Sequence, residues 1–423
     1  MAIKADFAIV HANELATLQG KSKKPQVREE MNDIGPLRDG AVAVKDGQIV
    51  AVGTTKEVLV KLAKGYETID ASGKLVTPGL IDSHVHLIFA GSREEELEAM
   101  AVKGVPYLDI KAKGGGMPTT LKITGETSTE ELLKRTTHIL DTMLIHGTTT
   151  IEAKSGYEMT LHGEIRQMEM IRTLRESHPV DLIPTFMAQG IPFEYEHKVD
   201  QLTDEIVKKW IPEIAKKGLA EYCDVFCEKG YFNVEQSRRI LETGRKHGMK
   251  PRIHADWLAH SGGAKLGAEL GVVSADHLIF TPAEEIEELV RKGIIGTFLP
   301  TTPFCYLGTY AKAREIINGG LPIALATDLS AADMCESMQM MMTLAVLQMK
   351  MTSEEALVAS TINAAHSIER ANEVGSLEEG KKADIAIFDA PNHKYFAYHY
   401  GVNLAEKVFK NGKLVAERGR RKE

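Results

Sequence analysis

The stretch Gly79-Leu-Ile-Asp-Ser-His-Val-His-Leu-Ile-Phe-Ala-Gly91 places two histidines, His84 and His86, two positions apart in a mostly apolar run. Side chains at positions i and i+2 of a β-strand point to the same face, so both imidazoles would project together. Two converging neutral imidazoles are half of a zinc site. A hydrogen-bonded pair of core histidines has the same pattern, so the rest of the chain must decide between the two interpretations.

The chain between about residues 77 and 372 alternates short apolar runs with amphipathic ones. Helical patterns separate the apolar runs, and one helix begins with Ser128 and Glu131 in capping-box spacing. Eight strands joined by crossover helices predict the α/β class and a parallel (β/α)8 barrel of the TIM type. The eight strand-like runs are 80–88, 148–154, 181–187, 222–227, 251–255, 272–278, 294–300 and 321–328.

Both ends of the chain carry signals for β-hairpins. Asp46-Gly47 and Asn411-Gly412 each lie between two short apolar runs. These dipeptides favour the type I′ turn, which needs a positive φ at both central residues. We therefore predict one small β domain built from residues 1–76 and 373–423, with a barrel domain of residues 77–372 inserted between the two halves.

Composition restricts the partners and the compartment. The chain has 423 residues, of which 43% are hydrophobic and 26% charged, as in ordinary globular proteins. A net charge of −8, without a basic cluster before the last residues, argues against nucleic acid or a membrane as a partner. Cys223 and Cys227 are expected to be buried thiols, not a metal site. Because no leader pattern or long apolar run is visible, we expect a cytoplasmic enzyme. A homodimer is the default expectation.

Five polar residues fall near the ends of predicted strands. His84 and His86 lie on the first strand, His254 on the fifth and His277 on the sixth. Asp328 closes the eighth strand, where a solitary buried charge is costly unless it is paired or bound to a metal. Active sites of such barrels lie at the C-terminal ends of the strands. The five side chains are therefore expected to meet at one mouth of the barrel.

Imidazole and carboxylate ligands suit Zn²⁺, with Fe²⁺ as the alternative. A metal held by three histidines and Asp328 would lower the pKa of bound water toward about 7. Asp328 would pass a proton to a leaving nitrogen, and His277 would polarise a carbonyl. The expected reaction is hydrolysis at an amide or amidine carbon.

Nine segments of the chain occur in an order that is typical of one group of enzymes. They are PGLIDSHVHLIFAGSREEE, KGGGM, IEAKSGYE, HPVDLIPTF, EYCDVFCEKGYFNVEQSRRIL, IHAD, SADHLIFT, ALATD and TINAAHSI. From about residue 75 to 370 the chain thereby resembles the amidohydrolase superfamily and, within it, the imidazolonepropionase family. The terminal stretch GSLEEGKKADIAIFDAP is similar to the small β-sandwich of that superfamily.

The resemblance implies hydrolysis of 4-imidazolone-5-propanoate to N-formimino-L-glutamate, in histidine degradation, at one zinc or iron ion per chain. The substrate would be a small cyclic amide with a carboxylate tail. His277 matches the family's catalytic histidine. Arg93 and Tyr157 match positions that contact substrate, where a guanidinium can grip a carboxylate with two hydrogen bonds. The positions that match the family's metal ligands are His84, His86, His254 and Asp328.

Three further residues are expected to contact substrate, although they depart from the family's pattern. Gln189 lies near the family's substrate histidine, Trp257 follows "HAD" where Glu or Gln is common, and Ser330-Ala-Ala replaces Asn-Pro-Gly. The departures leave the exact ring open. Asp256 is a candidate to replace the missing carboxylate, although an aspartate after a strand is more often a loop cap.

Two alternatives follow from these departures. The first is another cyclic amidohydrolase or aminohydrolase on the same scaffold, acting on a nucleobase, a pterin or a hydantoin-like ring. Arg93 separates the two, because only a reader of a carboxylate tail needs it. The second is a non-catalytic structural barrel, whose signature would be lost metal ligands.

Lys154 ends the second strand, and superfamily members with a carboxylated lysine place it on a different strand, so a mononuclear site is expected.

Overall fold

The structure is a computed structural model, and it describes residues 2–422. Within these residues the strands are β1 (Phe7–Ala12), β2 (Glu14–Ala16), β3 (Pro36–Leu37), β4 (Gly40–Lys45), β5 (Gln48–Thr54), β6 (Glu67–Asp70), β7 (Leu75–Pro78), β8 (Leu80–Val85), β9 (Thr148–Lys154), β10 (Asp181–Ala188), β11 (Tyr222–Cys227), β12 (Lys250–Pro251), β13 (Ile253–Ala255), β14 (Ser274–His277), β15 (Ile295–Phe298), β16 (Ile323–Leu325), β17 (Ile385–Phe388), β18 (Ala405–Lys410), β19 (Lys413–Glu417) and β20 (Arg420–Arg421).

Most helices follow the strands of the central part of the chain. Their bounds are α1 (Thr55–Lys61), α2 (Glu94–Lys103), α3 (Tyr107–Ala112), α4 (Met117–Glu126), α5 (Thr129–Ile145), α6 (Leu161–Ser177), α7 (Val199–Glu205), α8 (Ile211–Lys216), α9 (Val234–Lys246), α10 (Gly263–Leu270), α11 (Ala283–Lys292), α12 (Thr301–Cys305), α13 (Ala313–Gly319), α14 (Met338–Leu347), α15 (Ser353–Ala359), α16 (Ile362–Ser367) and α17 (Tyr395–Tyr398). Across the described chain, no helix combines the length and the apolar character needed to cross a membrane.

Eight parallel strands form the central sheet in the order β8-β9-β10-β11-β13-β14-β15-β16, and β12 pairs with β11 beside them. The two outer strands of this order meet through the carboxylate of Asp82 in β8. It accepts hydrogen bonds from the backbone N–H of Thr327 at 3.0 Å and from the Thr327 hydroxyl at 2.6 Å. The N–H of His86 also donates to the carbonyl of Leu329 at 2.9 Å. The predicted (β/α)8 barrel is thereby confirmed, and each of the eight predicted runs coincides with one of its strands to within a few residues at either end.

Charged residues occupy the interior of the barrel strands. Strands of a parallel barrel are covered on both faces, so long apolar runs are the rule and buried charges need partners. Asp82, Glu152, Lys154, Asp224 and Asp276 are each 0–1% exposed. Buried thiols at Cys223 and Cys227 fit the prediction for that strand.

Strands from both ends of the chain build two further sheets. Their orders are β5-β4-β1-β6 and β20-β19-β18-β17-β7-β2-β3. The central turn residues have φ of 49° and 78° at Asp46 and Gly47, and of 48° and 74° at Asn411 and Gly412, as predicted for type I′ turns. The two turns touch, because a Cβ on Gly47 would lie 2.9 Å from the carbonyl oxygen of Asn411. The division at residues 76 and 373 stays a prediction, and β7 runs across its first boundary.

The sequence did not predict helices between residues 92 and 127. In the structure this segment forms α2, α3 and α4, and it lies over the C-terminal ends of the barrel strands. Arg93, Tyr107 and Met117 from this segment line the cavity above the barrel. The segment therefore acts as the roof of the site described next.

Candidate active site

Four side chains bring their donor atoms together at the C-terminal end of the barrel. Nε2 of His86 lies 3.3 Å from Nε2 of His84 and 3.3 Å from Nε2 of His254. Oδ1 of Asp328 lies 3.3 Å from Nε2 of His86 and 3.5 Å from Nε2 of His84. All four side chains are buried. His84 lies in β8, His86 directly after it, His254 in β13, and Asp328 three residues after the end of β16.

These separations fit a ligand set better than a hydrogen-bond network. Donor atoms 2.0–2.1 Å from a tetrahedral zinc ion are about 3.3–3.4 Å apart. Nδ1 of His84 donates to Oδ2 of Asp276 at 2.7 Å, and Nδ1 of His254 lies 3.1 Å from Oδ2 of Asp224. A proton on Nδ1 leaves the lone pair on Nε2, so these Nε2 atoms cannot donate to one another. Lone pairs that face one another suit a cation.

Burial reinforces the ligand character of the histidines. Desolvation lowers the pKa of His84 well below its ordinary value and also lowers the pKa of His86. Metal binding requires the neutral imidazole, so a lowered pKa prepares the site at neutral pH. The residues present therefore fit a divalent metal ion, as the sequence predicted.

His277 lies beside this cluster at the end of β14. Its φ of 76° is in the left-handed region, which turns the side chain out of the regular alternation of the strand. Its ring centroid lies 5.3 Å from that of His254, and it stacks on Trp257 at 5.5 Å with an interplanar angle of 20°. Burial lowers the pKa of His277 to about 4, so the ring is neutral at pH 7. A left-handed residue with a functional side chain is a common form of strain at active sites.

A cavity opens from the cluster toward the roof. It is lined by the five residues that the sequence assigns to substrate, which are Arg93, Tyr157, Gln189, Trp257 and Ser330. His86, His254, His277 and Asp328 line the same cavity. Nine of the ten predicted site residues thus line one cavity, and the tenth, His84, lies beneath its floor.

Arg93 supplies a positive charge to the cavity. Its Nη2 donates to the hydroxyl of Tyr306 at 3.1 Å. Its Nε is buried without a hydrogen-bond partner among residues 2–422, and the carboxylate of Glu96 lies 3.8 Å away. Because a buried N–H without a hydrogen-bond partner is costly, Arg93 is well suited to a carboxylate of a ligand.

Tyr157 and Gln189 form the wall next to His86. The Tyr157 ring centroid lies 5.8 Å from that of His86, and burial raises the pKa of the phenol to about 12. The phenol therefore keeps its proton and can donate it in a hydrogen bond. Oε1 of Gln189 is buried without a partner in the described part of the chain, so it can accept one from a ligand.

The other two departures from the family pattern have clear structural surroundings. Trp257 packs between His277 and Phe226, whose ring centroid is 5.6 Å from the indole. Oγ of Ser330 accepts hydrogen bonds from the backbone N–H groups of Ala332 and Asp333, both at 3.2 Å. Ser330 therefore holds its own loop as well as lining the cavity.

Asp256 acts as a loop cap. Its Oδ1 accepts from the N–H and hydroxyl of Ser261 at 2.7 and 2.9 Å, and its Oδ2 accepts from the Thr281 hydroxyl at 2.8 Å. Its φ of 56° turns the chain out of the strand. The carboxylate is thus fully engaged in the loop, which is the second of the two roles considered for it.

Sequence reasoning missed Asp333 and the aromatic residues of the roof. Asp333 lines the cavity at 2% exposure, and its Oδ1 has no hydrogen-bond partner within the described residues. Burial and then the nearby Asp328 raise the pKa of Asp333 to about 8. Tyr107 and Tyr306 pack edge to face with centroids 5.1 Å apart. The acidic residue five positions after Asp328 was the one available signal.

Comparisons with known proteins agree with the site. Residues 75–415 match the sequence pattern of the Amidohydrolase family. The chain belongs to this family, as the resemblance indicated. Within it, the chain is similar to proteins named imidazolonepropionase. One, from Alkaliphilus metalliredigens (strain QYMF), is 46% identical over 419 residues, which cover 98% of this chain and 99% of that protein. Another, from Geobacillus kaustophilus (strain HTA426), is 47% identical over 414 residues, which cover 97% of each.

Solved structures with lower identity share the fold. An adenosine deaminase from Xanthomonas campestris with bound zinc superimposes with a TM-score of 0.73 at 19% identity. The match covers 100% of this chain and 95% of that one. At this identity the likeness supports the barrel with its terminal sheets and nothing finer.

Proposed function

We propose that the protein hydrolyses the ring of 4-imidazolone-5-propanoate to give N-formimino-L-glutamate. We further propose that one zinc or iron ion is held by His84, His86, His254 and Asp328. One observation carries the proposal: a converging set of three imidazoles and a carboxylate opens into a cavity that is lined by the guanidinium of Arg93, whose buried Nε has no hydrogen-bond partner among the described residues. The similarity to proteins named imidazolonepropionase over nearly the whole chain supports it.

Each side chain of the site has a role in the reaction that follows from its position. A divalent metal held by these four residues would supply Lewis acidity and would lower the pKa of water. Arg93 binds the propionate, and this contact orients the ring above the cluster. His277 is neutral and donates an N–H to the ring carbonyl, whose oxygen gains negative charge as the carbon becomes tetrahedral.

Asp328 moves the proton. Its Oδ2 accepts a hydrogen bond from the hydroxyl of Thr302 at 2.6 Å, so the carboxylate is held in one orientation. The oxygen of water bonds to the ring carbonyl carbon, and Asp328 takes the proton that water releases. The carbon–nitrogen bond then breaks, and the same proton passes to the leaving nitrogen. The former carbonyl carbon becomes the new carboxylate of the product.

The test is the loss of imidazolone absorbance when metal-loaded protein meets freshly generated 4-imidazolone-5-propanoate. We expect fast loss that a chelator abolishes and that added metal restores. Arg93→Met should raise KM strongly with a smaller effect on kcat, because it removes the contact to the tail. Arg314→Met is the matched control, since Arg314 pairs with Glu355 and not with the cavity. An unchanged KM in the Arg93 variant would contradict the proposal.

A second candidate is hydrolysis of a different ring with the same tail. The buried carboxyl of Asp333 favours it, because its unpartnered Oδ1 suits a ring that offers an additional N–H. A hydantoin carries two N–H groups. Metal-loaded protein that leaves 4-imidazolone-5-propanoate intact but opens hydantoin-5-propanoate would select this candidate.

A further inference from the structure

Lys154 is a fully buried ammonium group beneath the metal-ligand cluster, and the proposed reaction does not use it. It ends β9, its side chain is 0% exposed, and its Nζ lies 3.0 Å from Oε1 of Glu152 and 2.7 Å from Oδ2 of Asp224. Burying a charge is costly even when it is paired. A role beyond filling the barrel would account for a lysine at this place.

The partner of Lys154 is also the partner of a metal ligand. The Asp224 carboxylate lies 3.1–3.2 Å from Nδ1 of His254, through both of its oxygens. Its Oδ1 also accepts from the backbone N–H of Val225 at 2.7 Å. Lys154 therefore holds the carboxylate on which His254 rests, through Oδ2, the same oxygen that lies 3.1 Å from Nδ1 of His254.

His84 has an equivalent carboxylate partner that is also held by a cation. Nη2 of Arg252 lies 3.3 Å from Oδ2 of Asp276, and this oxygen accepts from Nδ1 of His84 at 2.7 Å. Glu152 lies between the two cations, with Oε1 3.8 Å from Nε of Arg252. Two cations, three carboxylates and two histidines thus form one buried network.

We propose that Lys154 is a positioning residue for the metal site: it holds Asp224 so that His254 presents its Nε2 lone pair to the ion. The contact acts on the ligand's tautomer and orientation and needs no contact with substrate. Outer partners of this kind typically change metal affinity by about 10–100-fold when they are removed. The inference rests on the proposed metal site but not on the proposed substrate.

The chain offers a matched control in Lys410. This lysine is 2% exposed in its side chain and pairs with two carboxylates, those of Asp181 and Asp384. It lies at the junction of β18 with β10 and contacts no histidine of the cluster. Lys154→Met and Lys410→Met therefore remove the same group from the same kind of environment, one beneath the metal ligands and one away from them.

The experiment measures metal binding in the full-length variants. Zn²⁺ affinity is obtained by competition with a chromophoric chelator, and the visible spectrum of the Co²⁺-substituted protein reports ligand geometry. We expect Lys154→Met to weaken Zn²⁺ about 10–100-fold and to shift the Co²⁺ bands. Lys410→Met should leave both unchanged. Lys154→Gln is the second variant if the methionine protein does not fold, and it should weaken binding in the same direction.

The outcomes separate this inference from the proposed site. If the unmodified protein binds no equivalent of metal, the proposed metal site itself fails. If it binds one equivalent and folded Lys154 variants bind as tightly with the same Co²⁺ spectrum, Lys154 has no positioning role. Equal losses in the Lys154 and Lys410 variants would show that general destabilisation, and not the contact to Asp224, controls affinity.

Discussion

Lys154 and Lys410 lie at opposite ends of the barrel, each buried and each paired with two carboxylates. The two carboxylates that pair with Lys410 are satisfied: Asp181 accepts at 2.7 Å, and the backbone N–H of Asn411 donates to Asp384 at 2.9 Å. The unpartnered buried atom beside them is a hydroxyl, that of Thr150, which lies in register with Asp181. Around Lys154, buried atoms lack partners in the described structure, among them Nδ1 of His86, Nδ1 of His277 and Oε2 of Glu152.

The difference shows how to distinguish a structural cluster from a functional one. Native cores satisfy nearly all buried polar groups, so unpartnered atoms that gather at one place call for a ligand. The C-terminal end of a barrel carries its chemistry, and the N-terminal end carries stability. The two lysines are alike in burial and charge. What differs is whether the buried imidazoles and carboxylates around them have hydrogen-bond partners.

The largest expected effect is at the metal end. Asp328→Ala removes a proposed ligand and the proton carrier together, so hydrolysis should fall by more than about 100-fold, beyond the effect of an outer partner. Turnover of imidazolone with equal amounts of folded, metal-treated protein measures it. Asp384 is a buried carboxylate at the other end of the barrel, and Asp384→Asn should leave turnover per folded molecule unchanged. A similar loss of turnover in this variant would contradict the functional difference between the two ends.

Lys410→Met should have its effect on stability. Breaking a buried pair by removing one partner costs about 3–5 kcal/mol, because the buried carboxylate of Asp384 loses its counter-charge. The midpoint of thermal unfolding should fall by several degrees, while KM for the imidazolone stays unchanged in the folded protein. A changed KM would mean that the two ends of the barrel are coupled.

Unlike Lys410→Met, Asp333→Asn should stabilise the folded protein. The pKa of Asp333 is raised from 3.8 to about 8 on folding, so the unmodified protein loses stability as pH rises from about 4 to about 8. The amide removes this loss, and the gain in thermal midpoint should grow with pH across that window. Thermal scans of both proteins at pH 5 and pH 8 measure it; a variant that is less stable at pH 8 would indicate a structural role for the carboxylate.

The smallest effect concerns the contact between the two hairpin turns. Gly47→Ala places a Cβ 2.9 Å from the Asn411 carbonyl at a φ of 78°, and should destabilise by somewhat more than about 1 kcal/mol. Gly73→Ala is the matched control, because Gly73 has a φ of 76° and nothing within 4 Å of a Cβ. The difference between their unfolding midpoints measures the contribution of the turn–turn contact. Equal midpoints would show that this contact contributes nothing to stability.

The barrel could be predicted because its strands are short apolar runs bounded by helical patterns. The histidine cluster could be inferred because each member stands at a strand end, where barrel geometry brings the ends together. These signals are local in the sequence. The rule that the C-terminal strand ends of a barrel meet at one mouth then brings the residues together.

What could not be predicted depends on contacts between distant residues or on backbone angles. Asp224 stands 70 positions after Lys154, and no periodicity joins them. Strand alternation alone would send Asp276 and His277 to opposite faces, yet both reach the site because His277 has a φ of 76°. The roof between residues 92 and 127 has few buried apolar positions, so its helices left a weak pattern.

The antiparallel pairing of β7 with β17 also has a consequence in time. Leu75–Pro78 leaves the ribosome about 300 residues before Ile385–Phe388, which at about 5–20 residues per second is roughly 15–60 s. For that interval β7 pairs with β2 along one edge only, and its other edge, which β17 later covers, is open to wrong association. Strands β17 to β20 therefore close this sheet late, and their arrival decides when the open edge of β7 is covered.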